Sequence, residues 1–375
     1  MTNRRWRSVR LLQAALLCSM TMGPLVVGKL CLPLSWYAFR CWEVLRDYRP
    51  ACPAHGPFYP NAMLTKVEVG ELGAHSRYAV KKPVEWRTDA RGFRNRPQPA
   101  GVRPALVLIG ESEVVGTSLT QADTLAEQLS VQSRQLVYAY APATLRAFLE
   151  DRSFSEAPPA VVIVTSVEYR LAHLEPLQPP GSASGTFGAD QAADSWLCRL
   201  TWEPASIWLD QVRKKPLLNR YLDQRVRQQL DGRPRHALVD ERSGMLFLPE
   251  AVEVSRQHQA HLDGVVRSLA ARMSDYRDAL AGRGIRFIFV PVPNKETIYW
   301  DRLPEAVTNG LDRPQVLSRL VRLLRERSVE VVDLEPAFQQ LRATRAGLLY
   351  HLDDTHWNAQ GVALTARLIA EALAG

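Results

Sequence analysis

Ser112 stands two residues after Gly110, and Gly110 closes the apolar run Ala105-Leu-Val-Leu-Ile109. Such a run ended by glycine reads as a buried strand followed by a sharp turn. In open α/β sheets ligands gather beyond the carboxyl ends of the strands, so a serine hydroxyl at this point is a candidate nucleophile. The plainer alternative is that Ser112 caps the next helix. Near the other end of the chain, Asp353-Asp-Thr-His356 precedes the apolar-periodic stretch Val362 to Leu373. A histidine two and three residues after carboxylates, on a loop just ahead of a helix, can be oriented by one of them and accept a proton from a serine. Asp353 and Asp354 compete for that task, because neighbouring side chains on an extended loop point apart.

The elements that must bring these residues together follow from periodicity. Gln121 to Ser130 reads as a helix, Gln135 to Ala141 as a strand and Ala143 to Glu150 as a helix. Ala160 to Ser166 is a third strand, entered through Pro158-Pro159. A long helix over Ala251–Ala281 ends at Gly282-Arg-Gly284, and the strand Ile285–Val290, the helix Pro314–Arg327 and the strand Val329–Leu334 follow. Strands alternating with helices predict a doubly wound, mainly parallel sheet of five strands. Residues 41–104 are rich in proline, glycine and aromatics, with strand-like alternation over Val67–Leu72 and Ser76–Trp86, and read as a linker and small β appendage. Gly92 in Thr88-Asp-Ala-Arg-Gly-Phe-Arg94 suits a turn that needs positive φ. Residues 173–255 read as a helical, lid-like insertion in a domain spanning 105–375, with Trp196, Trp202 and Trp208 as core anchors rather than a sugar platform.

The chain has 375 residues, 46% hydrophobic and 23% charged, enough to bury a sizeable core and unlike a disordered protein. Its formal net charge of +8 comes from scattered arginines. That fits anionic surfaces or polysaccharide, and no aromatic-basic motif accompanies it to indicate nucleic acid. Arg4, Arg5, Arg7 and Arg10 precede a stretch, Leu11 to Gly28, without a charged residue. A basic start followed by an apolar run is a secretory signal or a retained anchor. No small-x-small cleavage site stands out and apolar character resumes after Lys29, so residues 1–40 read as a single membrane-spanning anchor. Arginines on its N-terminal side put the remainder outside the cytoplasm. Cys41 and Cys52 could pair there, and no cysteine or histidine spacing calls for a metal.

Gly110-Glu-Ser112, with Gly116 and Asp123-Thr-Leu125, resembles the first block of the SGNH hydrolases, usually Gly-Asp-Ser, and Asp353–His356 resembles their last block. The words Val290-Pro-Val-Pro-Asn-Lys-Glu-Thr-Ile-Tyr299 and Asp354-Thr-His-Trp357 are similar to the alginate O-acetyltransferase-like (AlgX and AlgJ type) group of that superfamily. In that group the Asp-x-His element precedes the serine, whereas here the serine comes first. The resemblance covers about residues 85–375 and implies a flavodoxin-like SGNH sheet and serine-dependent acyl transfer, without a cofactor, to or from a carbohydrate or envelope polysaccharide. It also implies a periplasm-facing catalytic domain on an inner-membrane anchor, working beside a membrane acyl-donor protein. It makes Ser112 the nucleophile, His356 the base and Asp354, through Asp-Thr-His-Trp, the orienting carboxylate; ordinary SGNH enzymes would use Asp353. The usual second-block glycine and third-block asparagine are missing, and Thr165-Ser-Val-Glu-Tyr-Arg170 offers Tyr169 or Arg170 as the oxyanion donor, or as a strand-end salt bridge. Asn294 and Lys295, at a strand's carboxyl end, could bind an anionic sugar or solvate a turn. Glu111 replaces the usual aspartate beneath the serine, which leaves open a catalytically silent carbohydrate-binding or assembly component. Full-length protein is expected to sediment with membranes and resist carbonate extraction. Soluble protein with a mature N-terminus near residue 30 would mean a cleaved signal instead.

Overall fold

The computed structural model describes residues 27, 31–49, 56–74, 76–98, 102–177, 204–214, 216–230, 232, 234, 236–308, 311–344 and 347–375. Of the expected anchor, residues 1–40, only 27 and 31–40 are among them, and there Leu34, Tyr37 and Ala38 are buried beside Val44 and Leu218. Cys52, Trp196 and Trp202 lie outside the described residues. Among those described, no helix is long and apolar enough to cross a membrane. In chain order the strands are β1 (Met63–Glu68), β2 (Lys82–Arg87), β3 (Leu106–Ile109), β4 (Val137–Tyr140), β5 (Val161–Val167), β6 (Leu238–Asp240), β7 (Met245–Phe247) and β8 (Arg286–Val292).

The central sheet is parallel, with order β4-β3-β5-β8. Ile109, the last residue of β3, lies opposite Tyr140 and Val164. A parallel sheet is covered on both faces, which is why its strands are unbroken apolar runs. Alternate residues of β3 serve opposite layers. Leu106 and Leu108 join the cluster under the Leu125–Ser133 and Ala359–Ala374 helices, while Val107 and Ile109 join the one under Leu262–Ala281 and Val316–Glu326.

The sheet has four strands and not the expected five. Val329–Leu334 contributes only a bridge between Val331 and Phe289, with Phe289 N–H donating to Glu330 O (2.9 Å) and Val332 N–H to Phe289 O (3.0 Å). Residues of one strand face a given neighbour alternately, so the next to face this edge is Pro291, which has no N–H to donate. On the other side Ser328 takes φ 56°, as the chain leaves the preceding helix. The pairing is therefore pinched to one residue. The expected Ala251–Ala281 helix is likewise divided, into Pro249–Ala260 and Leu262–Ala281, at His261 (φ −120°, ψ 30°).

β1 and β2 form an antiparallel hairpin in which Leu64 faces Trp86. Its strands are shifted from the expected stretches because Gly70 and Gly73 lie in the loop, against Asp353, where an added Cβ would stand 2.2 Å and 2.6 Å from atoms of that residue. The phrase after β2 ties the hairpin to the sheet. Gly92 takes φ 79°, as a turn requires, and Asp89 accepts from the N–H groups of Arg91 (2.8 Å) and Phe93 (3.0 Å). The Asn95 amide pairs with both backbone groups of Ala139 on edge strand β4, accepting at 2.8 Å and donating at 3.1 Å. Within the expected insertion, β6 and β7 form a hairpin whose Met245 and Phe247 lie in the core, whereas Trp208 is 55% exposed and not the core anchor expected.

Arg94 is buried against Trp86, its guanidinium carbon 3.8 Å from the ring centroid. It donates to the carbonyls of Val115 (3.0 Å), Gly116 (2.6 Å), Leu119 (2.7 Å) and Glu85 (3.1 Å), and burial lowers its pKa to about 10. These carbonyls belong to β2 and to the turn after Ser112, so one side chain fixes the loop behind the candidate nucleophile. Arg94→Met would orphan four buried acceptors at about 1 kcal/mol or more each. We expect a loss of at least about 3 kcal/mol in a denaturant titration; a loss under about 1 kcal/mol would show that the loop holds itself.

Candidate active site

β3 ends at Gly110, where the chain must turn without a side chain. A Cβ there would lie 2.3 Å from the Thr165 hydroxyl and 2.7 Å from a Glu113 carboxylate oxygen. Ser112 then opens the short helix Ser112–Val115, whose left-handed end is Gly116 (φ 77°). As its first residue, Ser112 presents an N–H with no acceptor inside the helix. The group beneath this turn is Glu113 and not Glu111. The Glu113 carboxylate accepts from Thr165 Oγ1 (2.8 Å) and from the Glu111 N–H (3.1 Å), and burial raises its pKa against those bonds. Glu111 turns outward and pairs with Arg170 at 2.9 Å. The extra methylene of Glu111 therefore does not press on the serine.

His356 sits on a narrow loop closed by a Tyr350–Trp357 bridge and by His351 N–H donating to His356 O (3.1 Å). Its Nε2 is 2.8 Å from Ser112 Oγ and its Nδ1 is 2.6 Å from Asp354 Oδ1. Asp354 is fully buried, and its other oxygen accepts from Ser118 Oγ (2.8 Å) and the Glu71 N–H (3.1 Å). Burial alone would raise its pKa. The His356 imidazole, the Arg40 guanidinium and Lys82 outweigh burial and hold the carboxyl well below the ordinary range. Asp353 faces the other way, accepting from the N–H groups of Gly70 and Val80, both at 2.7 Å, and from Lys82 Nζ at 3.1 Å. The structure thus brings Ser112, His356 and Asp354 into one line and uses Asp353 to brace the β1–β2 loop.

Asn294 and Lys295 do not reach the cleft as sugar ligands would. Lys295 is 1% exposed, and its Nζ donates to the carbonyls of Leu246 (2.6 Å), His351 (2.6 Å), Leu352 (3.0 Å) and Asp354 (2.9 Å). Burial presses its pKa downward, with Glu296, Asp354 and Asp353 pulling it back up. It gathers the backbone of the histidine loop. Asn294 is buried beside it, accepting from the Tyr169 N–H (3.1 Å) and donating to Ser255 Oγ (3.2 Å) and, through its own N–H, to Glu168 (3.0 Å). That contact sets the Glu168–His173 turn, from which Tyr169 and Arg170 reach the cleft. Burial pushes the Tyr169 phenol up to about 12, so it stays a neutral donor.

Ser112 and His356 open into a cleft of about 1070 Å³, with Trp42, Phe58, Arg46 and Arg220 among its lining residues. Sequence reasoning missed Glu113, Ser118 and Arg40. Glu113 had a visible signal, a second glutamate in the same turn. Ser118 had none, since its positive φ of 64° shows only in the folded chain. Among the described residues no cluster of histidine, cysteine, aspartate and glutamate side chains could hold a metal ion.

Residues 242–375 match the family model described as SGNH hydrolase-like domain, acetyltransferase AlgX. No curated protein matches the chain. One similar solved structure is assigned as an acylhydrolase of Bacteroides fragilis; it is 11% identical, with 74% of this chain and 90% of that chain covered and a TM-score of 0.32.

Asp354→Asn should cut turnover by about four orders of magnitude, because the imidazole loses the acceptor that fixes its tautomer. Asp353→Asn should retain most turnover while lowering the melting temperature. Steady-state kinetics on equally folded variants reads the ranking, and the reverse order would return the orienting role to Asp353.

Proposed function

We propose, from the SGNH hydrolase-like, AlgX-acetyltransferase match of residues 242–375, that the chain is a serine-dependent enzyme moving an acyl group, most simply acetyl, to or from a carbohydrate. The observation that carries this reading is the unbroken line Ser112–His356–Asp354 at the mouth of the cleft. Ser112 Oγ attacks the carbonyl carbon of the donor ester while its proton passes to His356 Nε2. Asp354 Oδ1 accepts the hydrogen bond from Nδ1–H and stabilises the imidazolium. The Ser112 N–H, with Arg170 or Tyr169, faces the oxygen that becomes negative. Collapse breaks the donor's ester bond, and its alkoxide leaves with the proton from Nε2. The acyl-serine is then attacked by a sugar hydroxyl, which gives its proton to Nε2; Ser112 Oγ is expelled and takes that proton back, which completes transfer and restores the serine and the neutral imidazole. Water in place of the sugar gives hydrolysis.

A cleft of about 1070 Å³ is larger than an acetyl ester needs and suits a saccharide chain. The basic start and the uncharged run Leu11–Gly28 support an inner-membrane anchor with the catalytic part in the periplasm, where an envelope polysaccharide and a membrane acyl-donor protein would be the partners.

The test is hydrolysis of p-nitrophenyl acetate, followed by mass spectrometry of an added oligosaccharide. Wild-type protein should release nitrophenol and Ser112→Ala should lower the rate by at least about 10³. A sugar gaining one acetyl group would establish transfer. Wild-type protein that binds oligosaccharide but turns over no ester would instead identify a silent, carbohydrate-binding component.

A further inference from the structure

We propose that Arg40, from the stretch that follows the N-terminal apolar run, is a positioning residue for the Ser112–His356–Asp354 unit. The proposal rests on reading those three residues as a working triad. Its basis is geometric. The Arg40 guanidinium is buried, with Nη2 3.9 Å from Asp354 Oδ2 and Nη1 3.5 Å from Glu71 Oε2. It therefore meets the carboxylate on the side away from the imidazole, which is held by Oδ1.

The backbone around Arg40 is clamped by two further buried acids. Glu43 Oε2 accepts from the N–H groups of Phe39 (2.7 Å) and Arg40 (3.3 Å), and Glu68 Oε1 accepts from the Cys41 N–H (2.5 Å). Glu68 belongs to β1, and the next turn carries Glu71, whose own N–H donates to Asp354. Arg40 is thus fixed by the same hairpin that satisfies Asp354, and it brings a full positive charge to the Oδ2 side of that carboxylate. The other charged and titratable groups facing Asp354 are His356 and His351 on its own loop, Lys82 on β2, Glu71, neighbouring Asp353 and Lys295, whose Nζ is on the Asp354 carbonyl.

A cation behind the carboxylate balances part of its charge. Without it the imidazole faces an anion whose charge is less balanced, and it keeps an acquired proton to higher pH, where it cannot accept the Ser112 proton. In Arg40→Met the acidic limb of the kcat/KM–pH profile should move up by roughly one pH unit, the size expected of a unit charge several ångströms away at an effective dielectric of about 20. Activity on the acidic side should fall about tenfold and be recovered at alkaline pH, with KM little changed. Arg40→Lys, which keeps the charge, should keep the limb.

The experiment reads p-nitrophenyl acetate hydrolysis across pH for wild type, Arg40→Met, Arg40→Gln and Arg40→Lys. In parallel, histidine-ring NMR titrates His356, assigned among the eight histidines by His356→Ala. The titration separates the two ideas. If wild-type protein turns over no ester, the functional reading falls, while an upward His356 shift in Arg40→Met and Arg40→Gln, absent in Arg40→Lys, still supports the Arg40 role. An unmoved limb and an unmoved His356 titration in folded variants would overturn the proposal. Failure of both neutral variants to fold while Arg40→Lys folds with a shifted limb would also overturn it, leaving Arg40 a stabilising residue only.

Discussion

A carboxylate withdrawn from water must have both oxygens answered by the protein. Asp354 is such a group, and much of the site is built around answering it. One oxygen takes the imidazole, and the other takes Ser118, the Glu71 N–H and the field of Arg40. Each partner comes from a different part of the chain: the histidine loop, the turn after Ser112, the β1–β2 hairpin and the N-terminal stretch. The burial that makes the carboxylate costly to ionise is therefore also what gathers these segments. Lys295 does the complementary task with a cation, drawing the carbonyls of β7 and of the histidine loop onto one ammonium group. Removing either charge would orphan its own buried partners.

What was legible in the sequence had a local cause. β3 is a run of apolar residues ended by a glycine that has no room for a Cβ, and both features are written at the position where they act. The last helix begins at Asn358, whose side chain accepts from the N–H groups of Gln360 (2.9 Å) and Gly361 (3.1 Å), an N-cap ahead of the apolar stripe. Position at those two ends was enough to pair Ser112 with His356. The motif match of residues 242–375 adds the second half of that pair, but it does not reach Ser112.

What was not legible depended on partners distant in sequence. Val329–Leu334 has a strand's composition, yet pairing needs a neighbour able to donate, and Pro291 cannot. Lys295 looks from its residue type like a solvated or ligand-binding cation, and only the folded chain supplies four carbonyls to keep it inside. Glu111 and Glu113 are equivalent by type; Thr165, 52 residues from Glu113, decides which is drawn under the turn. Asp353 and Asp354 are separated in the same way, since Gly70 and Val80 claim the first.

These long-range contacts bear on where the unit that builds the site begins. A boundary at Ala105 follows from the motifs, but it leaves behind Arg94, which holds the carbonyls of the turn after Ser112, and Glu71, whose N–H meets Asp354. It also leaves behind Lys82, paired with Asp353 at 3.1 Å, so a buried carboxylate would lose its cation. Uncompensated buried charge is among the costliest defects a fold can carry. The hairpin and its lead-in are thus part of the site's construction, although none of their side chains carries the chemistry. A sheet and a motif suffice to place a serine near a histidine. Holding the carboxylate behind them ionised, oriented and dry requires the residues that come before the sheet.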